Sequence, residues 1–170
     1  MASTLVCLMC LMPVLHAAEP VPEYKLKAAF IYNFALFTEW PENGAGAGEP
    51  LNICLNIDSP LRSAMEEFHG KSIKGRQLVV RTVANIDHSR QCQIVFVGRL
   101  DRDRWPMARK AMANDSILSI SDDAELGRDG VTIVMSLINE RMVFDVDMSV
   151  ARQAKLVLSS KLLRLARTIR

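Results

Sequence analysis

The run from Tyr24 to Pro41 constrains the fold more than any other stretch of this chain. Leu26, Phe30, Phe34 and Phe37 recur at helical spacing, while Ala29, Ile31, Ala35 and Leu36 fill the neighbouring faces, so the helix is apolar around most of its circumference. Such a helix must be covered on more than one side. Pro41 is expected to end it, because the residue before a proline is driven out of the α region.

What covers it is spelled out downstream. Leu51 to Ile57 reads as a strand, and Asp58 or Ser59 can cap a short helix running to Phe68. Gly75 introduces a β-branched strand from Arg76 to Val83, and Cys92 to Val97 is a continuous apolar run, as in the central strand of a parallel sheet. Trp105 to Met112 reads as a helix with Pro106 in its first turn, Ser116 to Ile120 as a strand, and Asp122 to Gly127 as one helical turn. Val131 to Ile138 and Met142 to Val146 are joined by a connection too short for a crossover, so they form an antiparallel hairpin. From Ser149 the chain is expected to be helical to its end, with a break near Ser159 and Ser160. Val150, Ala154, Val157 or Leu158, Leu162, Leu165 and Ile169 would face the sheet. The fold class is therefore α/β: one domain with a mixed, mostly parallel sheet flanked by helices, a C-terminal hairpin and a terminal helix.

Residues 5 to 15 form an apolar run followed by His16, Ala17, Ala18 and Glu19, which reads as a signal peptide over residues 1–18. A spanning helix needs about 20 apolar residues, so a cleaved leader is expected rather than a membrane anchor, the alternative being an ordinary buried N-terminal helix. Removing the leader leaves two of the four cysteines, Cys54 and Cys92. In an exported protein an even pair reads as a disulfide, against the alternative of two buried thiols.

The chain carries 21 Lys and Arg against 19 Asp and Glu, too even a balance for a nucleic-acid partner. The distribution is uneven, however. From Ser149 onward Arg152, Lys155, Lys161, Arg164, Arg167 and Arg170 have no acidic companion. The ordinary reading is the solvated face of a terminal helix, and the sharper one a contact to an acidic partner or to anionic headgroups.

No catalytic constellation is present. His69 and His88 have no Cys, Asp or Glu at metal-ligand spacing apart from Asp87, and no Gly-x-Ser-x-Gly elbow presents a serine, so neither a metal nor a cofactor is implied. Asp145 and Asp147 share a strand face, the arrangement a carboxylate pair needs, but on an edge hairpin they read as a solvated face. The glycines between Glu42 and Pro50 follow a helix and open a strand, the reverse of a phosphate loop.

The Tyr24 to Pro41 helix, the stretch from Gly127 through Val143-Phe-Asp-Val-Asp147, and Ser159-Ser-Lys-Leu-Leu-Arg-Leu-Ala166 together resemble the YfiR-type family of small periplasmic proteins, over residues 24–170. Described members of that family repress an inner-membrane diguanylate cyclase. The resemblance implies a periplasmic, non-enzymatic repressor acting on the cyclase's periplasmic sensor domain, and the basic tail supplies Arg164 and Arg167 as candidate partner-binding residues. It also allows an outer-membrane lipoprotein as a further partner and a homodimer as the assembly. The alternative is a periplasmic small-molecule binding module, since a parallel sheet offers a cleft at its strand ends.

Overall fold

The computed structural model describes residues 22–41 and 48–170, so the signal-peptide stretch and most of the Glu42 to Pro50 loop lie outside the described residues. Helix α1 (Glu23–Leu36) is followed by a two-residue strand β1 (Thr38–Glu39). Next come β2 (Leu51–Asn56), α2 (Arg62–Glu66), β3 (Ser72–Ile73), β4 (Arg76–Val83), β5 (Ile94–Val97), α3 (Trp105–Ala111) and β6 (Leu118–Ser121). The chain closes with β7 (Ile133–Ile138), β8 (Arg141–Val146), α4 (Met148–Gln153), β9 (Val157–Leu158), α5 (Ser160–Leu163) and β10 (Thr168–Ile169).

Eight strands form one sheet in the order β10-β8-β7-β6-β5-β2-β4-β3. Strands β4, β2, β5, β6 and β7 are parallel, β8 runs against β7, and β3 runs against β4. The apolar strand β5 is in the interior of the sheet, buried at all four positions, as its composition predicts. Alternation assigns each side chain to a face. Ile53, Leu55, Ile94 and Phe96 join Ile31, Phe34 and Met65 in a core beneath α1 and α2. Cys54, Val95 and Val97 join Ile86, Trp105, Ala108 and Leu126 in a second core on the other face. The molecule is three layers around two cores.

Two tight turns set the hairpin registers. Asn139 and Glu140 take φ of 48° and 62° between β7 and β8, while Lys74 and Gly75 take 50° and 82° between β3 and β4. Positive φ at both central residues is the two-residue turn whose twist matches the strands it joins.

Three expectations are corrected. Helix α1 ends at Leu36, before Pro41, because Thr38 Oγ1 donates to Phe34 O at 2.7 Å and Thr38 then pairs with Leu158 in a small antiparallel sheet of β1 and β9. The turn after β6 is a 3-10 turn at Leu126–Arg128, with Asp122 to Ala124 outside it. The stretch after Ser149 is two short helices separated by β9 and followed by β10: Lys155 at φ 56° breaks the first helix, and Ser159 begins the second by accepting from Lys161 N. Consequently Ala151, Leu156, Leu158 and Leu162 face the core, whereas Leu165 and Ile169 are 72% and 50% exposed.

Candidate functional site

The sheet reverses its winding at β2. From β2 the chain moves outward to β4 by way of α2, then crosses back over β2 to β5 and continues through α3 to β6. The segment after β2 therefore turns to one face and the segment after β5 to the other, which parts the chain above the carboxyl ends of those two strands. A crevice of ≈ 510 Å³ opens there, bordered by Tyr24, Asn56, Phe96, Gly98, Asp101 and Asp122.

Asp101 bridges the parting. Its Oδ2 accepts from Gly98 N at 3.0 Å and its Oδ1 from Asn56 Nδ2 at 2.9 Å, tying the end of β5 to the end of β2. The side chain is 2% exposed, and burial pushes the carboxyl above its ordinary range despite the opposing hydrogen bonds from Asn56 and Gly98. On the neighbouring strand end, Asp122 Oδ2 accepts from Lys27 Nζ at 2.7 Å, while Glu23, one helical turn back, approaches the same ammonium at 2.5 Å. Burial alone would lower the Lys27 pKa; the hydrogen bonds to Asp122 and Glu23 outweigh it and hold the group above its usual value. Asp123, one residue on, pairs with Arg102. Burial pushes the Asp123 carboxyl up, but Arg102 pulls it further down, so it lies below the ordinary carboxylate range. The crevice thus holds charges that are largely paired, with the aromatic rings of Phe96 and Tyr24 along its border.

Cys54 and Cys92 form a disulfide, with Cα atoms 5.9 Å apart. Cys54 lies within β2, in register with Arg81 of β4 and Val95 of β5, and Cys92 ends the 3-10 turn Ile86–Gln91 just before β5. The bond pins the β4 to β5 crossover onto the strand that it crosses. Both cysteines belong to the second core, 1% and 3% exposed, so reductant reaches the bond only when that core opens.

Arg164 and Arg167 lie in the segment that returns from α5 to the sheet edge, and their circumstances differ. Arg167 is bidentate on Asp145, with Nε donating to Oδ1 at 2.9 Å and Nη2 donating to Oδ2. Its backbone N–H donates to Phe144 O at 2.8 Å, starting the β10 to β8 pairing. Hydrogen bonding from Arg167 pulls the Asp145 carboxyl below its ordinary range. Arg164 is exposed, beside the exposed Leu165. Lys161 in α5 and Arg164 and Leu165 in the turn that follows it are all exposed, whereas Leu162 is buried.

Asp145 and Asp147, on one strand face in the sequence, part company in function. Asp147 Oδ1 accepts from Ser149 N at 2.9 Å and Val150 N at 3.2 Å, which makes it the N-cap of α4. His69 Nδ1 accepts from Val80 N at 3.3 Å on the outer side of β4, a structural contact. Among the described residues no group of three or more His, Cys, Asp and Glu is arranged to hold a metal, and no helix is long and apolar enough to cross a membrane. Sequence reasoning missed Lys27 and Asp101. The Glu23 to Lys27 spacing inside an otherwise apolar helix was the available signal for the first; for Asp101 the local cue is its place three residues after Gly98, while its other partner, Asn56, is 45 residues away.

The comparisons agree with this architecture. A solved structure, a conserved domain protein from Vibrio cholerae O1 biovar El Tor, superposes with a TM-score of 0.55 at 8% identity over 87% of this chain, a likeness of fold alone. The chain spans 60% of the length of that protein. A search of the curated proteins finds no match. The YfiR/HmsC-like family model matches residues 24–167, from the start of α1 to the arginine that opens β10. With both end segments and everything between them inside that match, the chain belongs to the YfiR/HmsC-like family.

Proposed function

We propose that the protein is a periplasmic regulator that represses an inner-membrane diguanylate cyclase by protein-protein contact with its periplasmic sensor domain, lowering cyclic di-GMP and biofilm formation. The observation that carries this reading is the family match over residues 24–167. The absence of a membrane-crossing helix among the described residues is compatible with it. The contact face is the basic C-terminal turn. Arg164 and Leu165 are exposed there and available to an acidic, partly apolar partner, while Arg167, held by Asp145, keeps the turn against the sheet edge.

Deleting the gene raises cyclic di-GMP on this reading, and deleting the cognate cyclase as well cancels the rise. Unchanged nucleotide in the single deletion, with the protein expressed in the parent strain, removes it. Arg164→Glu lowers recovery of the cyclase in a pull-down from membranes without loss of fold.

A second reading, a small-molecule binding module, is favoured by the crevice at the reversal of strand order, where α/β sheets hold their ligands. Ligand-dependent protection of Asn56 and Gly98 amides from hydrogen exchange distinguishes it from the first.

A further inference from the structure

A second cleft, of ≈ 370 Å³, lies between α3 and α4 beside the amino end of β6. Its apolar border includes Trp105, Met112, Ile117, Val150 and Ala154, and its size is that of a small-molecule site. Two polar features mark what such a molecule would carry.

The first is Ser119, which borders the cleft and is 5% exposed. Ser119 Oγ accepts from Thr132 N at 2.9 Å and lies 3.0 Å from Thr132 Oγ1. The two hydroxyls carry two hydrogens, and the bond between them uses one. Either hydroxyl can donate in that bond, so one hydrogen of the pair is left over, and Ser119, at the cleft border, presents it when Thr132 is the donor. A buried donor without an acceptor is costly, and the cleft is the space from which an acceptor can come.

The second is Arg109, exposed at the cleft border and making no ion pair among the described residues. It lies along the backbone of Gly130: a Cβ there would fall 2.3 Å from Arg109 Nη1 and 3.0 Å from its Cδ. Glycine at this position, with φ of 81°, lets the guanidinium stay close. Lys110 adds a second cation to the border, against one acid, Asp115.

We propose that this cleft binds a small organic anion, with an apolar, ring-sized body against Trp105 and Ile117 and a carboxylate that accepts from Ser119 and is held in the field of Arg109 and Lys110. The site is independent of the cyclase contact and stands or falls without it.

The test uses 3-phenylpropionate as the probe, with 2-phenylethylamine and 3-phenylpropan-1-ol as cationic and neutral controls of the same body. Binding is read from the Trp105 indole N–H resonance, which is anchored by a 2.9 Å hydrogen bond to Asp129 O. For so small a ligand a Kd on the order of 1 mM is expected. Arg109→Gln weakens it about tenfold, as loss of a charge-assisted contact does. Ala154→Leu fills the cleft from a half-buried position and abolishes the shift while the spectrum stays dispersed. The proposal is overturned if no resonance moves at about 20 mM probe, if the amine binds as well as the acid, or if Ala154→Leu leaves the affinity unchanged.

Discussion

Lys27 of α1 holds Asp122, 95 residues later in sequence, at 2.7 Å, and so fastens the amino end of the first helix to the strand-end crevice. Lys27 is 6% exposed, whereas the side chains of Asp122 and Glu23 keep 21% and 46% of theirs.

Replacing this lysine by methionine keeps the stem's packing and removes the ammonium. Water can reach the two acids left behind, so the expected loss is about 1–3 kcal/mol, short of that for a fully buried broken pair. The folded-state pKa of Lys27 is raised above 10.5, so its contribution is fully present below 10.5 and is lost as pH rises through the folded value. Urea unfolding of wild type and Lys27→Met at a series of pH values checks both the size and the alkaline fall. A difference that vanishes at neutral pH would mean that the pair contributes nothing.

The disulfide closes a separation of 38 residues, for which chain entropy alone gives about 4 kcal/mol. The variant Cys54→Ala with Cys92→Ala is expected to fold with that reduction in denaturant unfolding and to repress the cyclase less strongly. Equal repression at lower stability would restrict the bond to a structural part. Because both sulfurs are buried, reduction of the wild type should follow the opening rate of the second core and accelerate in low urea.

Asp101 carries a pH dependence of the opposite sense to that of the paired acids. Its folded pKa is raised above 3.8, so the stability it contributes is full below 3.8 and is lost as pH rises through the raised value. The lowered carboxyls of Asp145 and Asp123 contribute above 3.8 and lose that contribution as pH falls through their folded values. The stability advantage of wild type over Asp101→Asn should therefore shrink as pH rises from below 3.8 through the raised folded value. Carbon-detected NMR titration of the Asp101 carboxyl provides the direct check, and a midpoint at or below 3.8 would contradict the burial argument.

Glu140 has φ of 62° in the β7 to β8 turn, where a side chain with a Cβ is disfavoured. Following Asn139, glycine there completes the preferred Asn-Gly turn, so Glu140→Gly should stabilise by about 0.5–1 kcal/mol after the greater flexibility of the unfolded chain is subtracted. Calorimetry should show Tm rising by roughly 2 °C.

Most of the sheet was legible because its strands announce themselves locally. The alternation and β-branching of Leu51 to Ile57 and Arg76 to Val83, and the unbroken apolar run into Val97, need no distant partner to be read. What was not legible depends on long-range pairing. Thr38 and Leu158 pair across 120 residues, and nothing near either predicts that Val157 and Leu158 leave the helical pattern for an extended one. The same holds for Thr168 and Ile169, whose apolar spacing continues a helix but whose backbone pairs with Asp145 and Val146. At the crevice, Asp101 reads as one more charge in the run Arg99 to Arg104, and only the folded chain brings Asn56 to it. The two cysteines were readable because an even pair carries its own inference.

The small sheet of β1 and β9 fixes when, as well as where, α1 settles. The ridge of α1 carrying Ile31 and Phe34 shares its core with Leu156, Leu158 and Leu162, and Ser159 N donates to Phe37 O at 2.9 Å. A polypeptide that emerges amino end first therefore leaves one side of this helix uncovered until nearly the last residues arrive. A chain cut short at Lys155 would have the parallel strands β4, β2, β5, β6 and β7 but an unlatched first helix, an adhesive surface of the kind that chaperones hold.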